Sequence, residues 1–285
     1  MSAHPRRPEG RTATAPPGPG PIPPELAVAA LLLVVSRVAL WFAEPLASED
    51  AYITFRYANM LATGHGLVYN AGERVMGFTS LPWTLWCALG TFARVDPVVW
   101  TRLTSLVADV ATLWLGWRML ARTGPAPARA FAFFFSAWPM FAAANATGLE
   151  VNAFLALAFL SAWLVSRNAQ AAGPVLGLFA VMRPEGLAAA LVLGLAAGWR
   201  ARLVALGIVG VTAAGLFAWY GSPVPQSVVA KAMLYGTPGP WAGRHWWEWL
   251  LPFPLGRFPV ASEGQHLLPI AVVFSAAVVV GARSL

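Results

Sequence analysis

Long apolar runs are the feature that most constrains this 285-residue chain. A helix needs about 20 mainly apolar residues to cross a hydrocarbon core of about 30 Å. The candidate spans are residues 25–43, 98–120, 130–147, 150–166, 169–182, 185–199, 203–220 and 266–282, of which 169–182 is short. These runs predict an all-α, polytopic transmembrane protein with about eight transmembrane helices.

Composition supports the membrane class and excludes several others. The chain is 58% hydrophobic and 11% charged, whereas soluble domains carry about 25% charged residues. Its net charge of +7 comes from arginines scattered between apolar runs, without the dense basic patch that nucleic-acid binding needs. The single cysteine, Cys87, excludes an internal disulfide and a cysteine-based metal cluster.

Arginine placement predicts the orientation of the chain. Residues 1–24 are rich in proline, glycine and arginine, and we predict a disordered cytoplasmic tail before a transmembrane domain over residues 25–285. The first extracytoplasmic loop is then residues 44–97. Residues 83–93 would span only about 17 Å as a helix, so we interpret them as an interfacial helix. The basic turns fall on the cytoplasmic side: Arg118, Arg122, Arg129, Arg167, Arg200, Arg202 and Arg283.

Two charged residues lie inside predicted spans. Charges at such depth are costly unless they are paired. Arg37 and Asp109 lie at estimated depths of about 9 and 16 Å below the extracytoplasmic surface. We therefore predict that they form a structural ion pair.

The polar segment 48–80 carries most of the functional signal. Glu49 and Asp50 follow the first membrane exit, and an amphipathic helix is predicted to begin there. Its apolar stripe is Ala51, Phe55, Ala58 and Ala62, and its polar stripe is Tyr52, Arg56, Asn59 and Thr63. Capping of this helix is one role for the two acids, and it is compatible with a catalytic role.

Four motifs in order resemble a known family. The run from Glu49 to Trp86 resembles D-D-A-Y-I-x-F-R-Y…G-H-G-L-V-x-N-x-G-E-R-V-x-G-x-T-N-x-L-W. Residues 147–150 resemble S-G-L-E, residues 183–186 match R-P-E-G, and residues 220–231 resemble Y-G-x-x-x-P-N-x-x-x-A-K. This pattern is similar to that of GT-C membrane glycosyltransferases related to actinobacterial terminal β-arabinofuranosyltransferases. The chain departs from it at Glu49, where the family has Asp, and at Met76, where an acid is usual.

The resemblance implies an inverting transfer of a sugar, arabinofuranose among the candidates, from a polyprenyl-phosphate donor to a cell-envelope glycan or other acceptor outside the membrane. A carboxylate must accept the proton of the acceptor hydroxyl, and cations must stabilise the departing phosphate. The implied catalytic residues are Asp50 and Glu49, and the implied phosphate-binding residues are Arg183, Lys231, Arg56 and Arg102. The implied substrate-binding residues are Tyr52, His65, Asn70, Glu73, Glu150, Glu185 and Gln226.

Several alternatives stay open at this stage. Glu150 can simply cap a helix, Arg183 and Glu185 can form a structural ion pair, and Arg102 can extend to the interface from a helix end. A divalent cation held by Glu49 and Asp50 is compatible with the sequence but not required by it. Family members are usually longer, so a truncated or catalytically impaired homologue is an alternative. A polytopic transporter or flippase is a weaker one, since no repeat is evident.

Overall fold

The structure is a computed structural model that describes residues 22–227. The predicted disordered tail up to residue 21, the predicted span 266–282 and Lys231 lie outside the described residues. The chain divides into two compact units, Met1–Pro223 and Val224–Leu285, and the second contributes only residues 224–227 to the described part.

Every regular element of the described part is an α-helix, as the apolar runs predict. In chain order the helices are α1 Pro24–Ala43, α2 Glu49–Ala62, α3 Leu81–Phe92, α4 Pro97–Leu120, α5 Pro125–Ala137, α6 Pro139–Ala146, α7 Val151–Ser166, α8 Ala172–Met182, α9 Pro184–Ala196 and α10 Trp199–Tyr220. Six of them carry proline at their first or second position. Proline suits these positions because the backbone N–H there has no intrahelical partner.

Three helices are long and apolar enough to cross a membrane, namely α1, α4 and α10. A fourth candidate arises if α6 and α7, which meet at a bend of 117°, are counted as one broken span. The described residues therefore form a helical membrane protein with three or four candidate spans. The predicted spans 169–182 and 185–199 correspond to α8 and α9, whose 11 and 13 residues are too short to cross by themselves.

Residues 130–147 do not form one continuous helix as predicted, because the chain breaks there into α5 and α6. Trp138 has an extended backbone, with φ −69° and ψ 121°. The residue before a proline is pushed out of the helical region, and Pro139 follows at once. Pro139 also has no N–H to donate to the carbonyl of Phe135, so this carbonyl needs another partner inside an apolar bundle.

Arg37 of α1 supplies that partner. Its Nη2 donates to the carbonyl of Phe135 at 3.1 Å, and its Nη1 donates to the carbonyl of Ser136 at 2.7 Å. Its Nε donates to Asp109 of α4 at 3.1 Å. The side chains of Arg37 and Asp109 have no exposed surface, so the predicted structural pair is confirmed.

Two amides complete the partners of Asp109. Asn145 of α6 donates to its Oδ2 at 3.1 Å, and Asn152 of α7 donates to its Oδ1 at 2.7 Å. Trp41 of α1 in turn donates to the Asn145 side-chain oxygen at 2.8 Å. We call these residues, with Arg37, the buried polar network. It connects five helices, because it joins α1, α4, α6 and α7 to the carboxyl end of α5.

The chain passes back and forth between two ends of the first unit, which differ in character. The loop end comprises residues 44–97, 147–150, 183–186 and 221–223, where α1, α6, α8 and α10 finish. The turn end comprises residues 22–25, 118–129, 167–171 and 197–202. The ion pair between Glu25 and Arg129, at 3.4 Å, joins the beginnings of α1 and α5 at the turn end.

The buried polar network predicts a large loss of stability when one charge is removed. Arg37→Met leaves Asp109 buried without its cation, which should lower the free energy of unfolding by about 3–5 kcal/mol. Thermal unfolding of the purified protein in detergent measures this change. The double variant Arg37→Met/Asp109→Leu should recover part of the loss, because it leaves no unpaired charge.

The exposed pair between Glu25 and Arg129 offers a matched control. Arg129→Gln should change stability by about 1 kcal/mol or less, because water screens that pair. Equal melting temperatures for Arg37→Met and Arg129→Gln would contradict the structural role of the network.

Candidate functional site

Arg102 organises the entry to the loop end. It lies in the first turns of α4 and is buried. Its guanidinium donates to the backbone carbonyls of Trp41, Glu44, Leu46 and Ala146. These bonds satisfy carbonyls at the ends of α1 and α6 that have no helical partner. Arg102, predicted to bind phosphate or to extend to the interface, therefore directs its N–H groups at backbone carbonyls.

α2 starts immediately after the segment that Arg102 holds. Glu49 and Asp50 form its first turn, and both are exposed at the loop end. The predicted stripes of α2 are confirmed in most positions. Ala51, Phe55 and Ala58 are buried and Ala62 is half-buried, whereas the polar stripe is exposed: Tyr52, Arg56, Asn59 and Thr63. Their negative charges at the start of α2 also interact favourably with the positive end of the helix dipole. The same placement serves both the capping and the catalytic interpretation.

The turn at residues 147–150 packs directly against α2. The backbone N–H of Ser48 donates to the carbonyl of Thr147 at 2.8 Å. Gly148 has a φ of +79°, and a Cβ there would lie 3.1 Å from Phe55 and 3.3 Å from Thr101. Trp83 of α3 donates to its carbonyl at 3.2 Å. Only glycine combines this backbone conformation with so close an approach.

Each residue of the segment 183–186 has a local reason for its place. Arg183 is extended, with φ −150° and ψ 152°, because it precedes proline. Pro184 opens α9, and Glu185 lies in its first turn. A Cβ on Gly186 would lie 2.4 Å from the carbonyl oxygen of Phe179, so the sharp reversal from α8 to α9 requires glycine.

Arg183 joins two carboxylates at this reversal. Its Nη1 donates to Glu150 and its Nε to Glu185, each at 2.6 Å. The Glu150 side chain is 5% exposed and that of Glu185 is 56% exposed, with Arg183 between them at 29%. Burial by itself raises the pKa of Glu185, but the hydrogen bond and charge of Arg183 outweigh it and hold that pKa below its ordinary value. Glu185 therefore stays ionised at neutral pH.

Arg183 and Glu185 form the ion pair that the sequence left open as one alternative for these residues. Glu150 is the N-cap residue of α7 but makes no side-chain cap hydrogen bond. Its carboxylate binds Arg183 across 33 positions of sequence instead. The helix-capping interpretation of Glu150 is therefore replaced by a long-range contact.

A shared apolar cluster brings these segments together. Ala51, Trp83, Cys87 and Met182 are buried in it, with Leu149 packed against them. Ala51 follows Asp50, Leu149 precedes Glu150, and Met182 precedes Arg183. Three of the four sequence motifs thus meet at one place on the loop end.

The loop at residues 63–80 is held by hydrogen bonds among its own polar residues and by one from α2. Arg56 donates to the carbonyl of Tyr69 at 3.0 Å, and Asn70 donates to Glu73 at 3.1 Å. The Nδ1 atom of His65 lies 3.0 Å from the hydroxyl of Thr63. These four predicted site residues, Arg56, His65, Asn70 and Glu73, are exposed. They shape the loop surface that faces outward.

Tyr57 anchors the same loop from beneath. Its hydroxyl accepts from the N–H of Gly77 at 2.9 Å and donates to the carbonyl of Val75 at 2.5 Å. Burial raises the pKa of Tyr57, so the hydroxyl keeps its proton and can donate. Met76 is buried between these positions in a cluster with Tyr57, Phe78 and Tyr220. The residue at the family's acid position is therefore part of an apolar core here.

The end of α10 completes the loop end. The Tyr220 hydroxyl and the Trp219 indole N–H both donate to the carbonyl of Leu67, at 2.5 and 3.3 Å. The Arg74 guanidinium lies 4.5 Å from the centre of the Trp219 ring. The beginning of the fourth motif, at Tyr220, therefore contacts the first motif. Gln226 belongs to the second unit, and Lys231 lies outside the described residues.

Metal binding is not evident in the part of the chain that the structure describes. No group of three or more His, Cys, Asp or Glu side chains is placed there to hold an ion. Glu49 and Asp50 are two carboxylates in one helical turn, so a divalent cation at that position stays compatible with the chain but is not required by it.

Sequence reasoning missed the residues that hold the site together. Trp83, Tyr57 and Asn145 act through contacts 18 to 104 positions away in sequence. The signal available for Tyr57 was its position on the buried side of the amphipathic helix α2. No local pattern indicated that Trp83 would bind the carbonyl of Gly148.

The fold and the loop end define a helical membrane protein with a polar site at one end of its bundle. Comparison of the chain with protein-family models, curated proteins and solved structures finds no match. The geometry of this site and the motif resemblance are therefore the observations that bear on the function of the protein.

Tyr57→Phe should loosen the loop at residues 74–79. The substitution removes the partner of the Gly77 N–H and of the Val75 carbonyl, and the loss of a hydrogen bond at such partly exposed groups costs about 0.5–1.5 kcal/mol. Hydrogen–deuterium exchange at the Gly77 amide should accelerate by about tenfold or more. Tyr69→Phe is the control, because Tyr69 contacts the same ring but is exposed. Equal exchange in both variants would refute the anchoring role of Tyr57.

Proposed function

We propose that this protein is a GT-C-like membrane glycosyltransferase that moves a sugar from a polyprenyl-phosphate donor to an acceptor hydroxyl. The observation that carries the proposal is the meeting of Glu49 and Asp50, Glu150 and the Arg183–Glu185 reversal around one apolar cluster. A transferase of this kind needs an acidic group and a cation at the membrane surface. The eight-span arrangement and the extracytoplasmic position of the site belong to the same proposal.

Asp50 or Glu49 is the proposed general base. Both carboxylates are exposed in the first turn of α2. As the acceptor oxygen bonds to the anomeric carbon, its proton passes to the carboxylate, and the bond to the phosphate oxygen breaks on the opposite face of the sugar. Asp50 matches the residue type of the family pattern, and it therefore ranks ahead of Glu49.

Arg183 is the proposed partner of the departing lipid phosphate. Glu150 accepts from its Nη1 and Glu185 from its Nε, which holds the guanidinium in a defined orientation while 29% of its side chain remains exposed. Preorganised cations lower the barrier because they do not have to reorient as negative charge develops. Lys231 and Arg56 remain candidate phosphate ligands. Tyr52, His65, Asn70, Glu73 and Gln226 remain candidate sugar contacts.

A transfer assay tests the base and the cation separately. Membranes containing the protein are supplied with radiolabelled polyprenyl-phosphoryl arabinofuranose and an oligosaccharide acceptor. Asp50→Asn should lower the rate by about 10²–10⁴-fold, because general-base catalysis is worth that much. Arg183→Gln should also lower the rate, and Arg183→Lys should restore it only in part, since lysine lacks the planar fork.

The controls separate failure of catalysis from failure of folding. Glu25→Gln changes an acid at the turn end and should leave the rate unchanged. Glu49→Gln decides between the two candidate bases, because the larger loss of rate identifies the carboxylate that accepts the proton. The catalytic proposal fails if Asp50→Asn and Glu49→Gln both transfer sugar at the wild-type rate. It also fails if the wild-type protein transfers none, which would favour an impaired homologue.

Transport is the second candidate function, and the broken helices favour it. The 117° bend between α6 and α7 and the reversal at Arg183 are features that transporters use to build sites. A transporter needs its polar site near the middle of the bilayer, whereas the acids at 49, 50 and 185 lie exposed at the loop end. Uptake or flipping of the lipid-linked sugar in proteoliposomes, without transfer, would favour this alternative.

Sidedness has its own test. In a Cys87→Ala background, Ala71→Cys introduces a thiol into the exposed loop at residues 63–80. A membrane-impermeant maleimide should label it in intact cells, and Arg122→Cys at the turn end should react only after the membrane is opened. The reverse pattern would overturn the proposed extracytoplasmic site.

A further inference from the structure

A cavity lies at the turn end, at the opposite end of the helices from the carboxylates of the loop end. It has a volume of about 460 Å³ and opens between the α7–α8 turn and the α9–α10 turn. Its polar lining includes Asn168, Gln170 and Arg200, and its apolar lining includes Ala169 and Val204. A volume of this size is within the range of small-molecule sites.

Charge at the turn end is strongly positive. The described residues of that end carry one acid, Glu25, which is paired with Arg129. The arginines of this end are Arg118, Arg122, Arg129, Arg167, Arg200 and Arg202. A cleft with this surrounding charge attracts an anion.

Arg200 is the arginine that faces the cavity. Its neighbour Arg202 is directed elsewhere, because its Nε and Nη2 donate to the carbonyls of Ala197 and Leu195, each at 2.9 Å. Those bonds satisfy the carboxyl end of α9. Arg200 is exposed, lines the cavity and lies 5.4 Å from the centre of the Trp199 ring. It can therefore reach a ligand without breaking a structural bond to these carbonyls.

The backbone adds to the positive field of the cavity. α8 begins at Ala172 and α10 begins at Trp199, and both residues line the cavity. Neither helix has a side-chain cap. Two helix starts therefore direct the positive ends of their dipoles at the space that Arg200 borders.

The position of α10 indicates what kind of anion enters. α10 is a candidate membrane span, and Trp199 at its start is exposed, as expected for an anchor at the interface. Val204, little more than one turn further along, is also exposed and lines the cavity. The cavity is thus polar at the helix start and apolar towards the bilayer. Phospholipids are the anions that present a headgroup and acyl chains in this order.

We propose that the turn-end cavity binds the headgroup of an anionic phospholipid, with Arg200 on its phosphate and the acyl chains along the exposed face of α10. Basic pockets between membrane helices recognise such headgroups through charge and hydrogen bonds. Asn168 and Gln170 supply hydrogen-bonding groups for the glycerol end of the headgroup. The inference is independent of the glycosyltransferase proposal, because it concerns the other end of the bundle.

Lipid titration of the full chain in detergent, followed by native mass spectrometry, tests the proposal. The probes are dioleoyl phosphatidylglycerol and dioleoyl phosphatidylcholine. The wild-type protein should retain the anionic lipid preferentially, and Arg200→Gln should weaken that retention about fivefold, the effect of one basic residue near a lipid phosphate. Ala169→Phe, which fills the cavity, should weaken it as well.

Arg118→Gln is the matched control. Arg118 is an exposed turn-end arginine that stacks on Trp114 and does not line the cavity. It should retain the anionic lipid like the wild type, and melting temperatures confirm that each variant is folded. An equal loss in Arg118→Gln and Arg200→Gln would show general charge attraction and overturn the site. Equal retention of both lipids, or displacement of phosphatidylglycerol by millimolar inorganic phosphate, would also overturn it.

Discussion

The buried pairing of Arg37 with Asp109 is the interaction on which the rest of the bundle depends. An ionised group inside an apolar bundle is stable only if a partner and hydrogen bonds replace its water. Asp109 accepts hydrogen bonds from Arg37, Asn145 and Asn152. Arg37 also donates to the carbonyls of Phe135 and Ser136, at the break before Pro139. Arg37 therefore neutralises the charge of Asp109 and also supplies donors for the carbonyls at the helix break. Five helices are oriented by this requirement.

That orientation positions the loop end. α1, α4 and α6 meet in the network. Arg102 of α4 then binds carbonyls at the end of α1, such as that of Trp41, and at the end of α6, that of Ala146. The chain leaving α1 is thus directed into α2, where Glu49 and Asp50 form the first turn. Gly148 lets the 147–150 turn approach α2 closely enough for Glu150 to reach Arg183. Glu49, Asp50 and Glu185 are thus presented by the first turns of helices, and Glu150 by a turn that is packed against α2. The arginines of the turn end lie at the other end of the helices.

Much of this arrangement could be predicted from local pattern, and the failures have identifiable causes. The two faces of α2 followed from spacing, because helical periodicity depends only on near neighbours. The Arg37–Asp109 pair followed from the cost of burying charge. The prediction of one continuous helix over 130–147 was wrong because it gave apolar content more weight than Pro139, which removes a helical hydrogen bond whatever its neighbours are. The interpretation that Glu150 caps α7 was wrong because its carboxylate binds Arg183 instead. Arg183 lies 33 positions away in sequence, where no local pattern could indicate the contact.

The sequence by itself determined the membrane class, the amphipathic helix with its leading acids and the need to pair Arg37. These follow from hydrophobicity, periodicity and the energy of a single buried charge, which are properties of short segments or single residues. Only the tertiary structure decided that Glu150 binds Arg183, that Met76 is buried beside Tyr57 and that Arg200 borders a cavity. Such outcomes depend on which distant segments share a surface. Packing of the whole bundle selects those contacts, and no local pattern contains them.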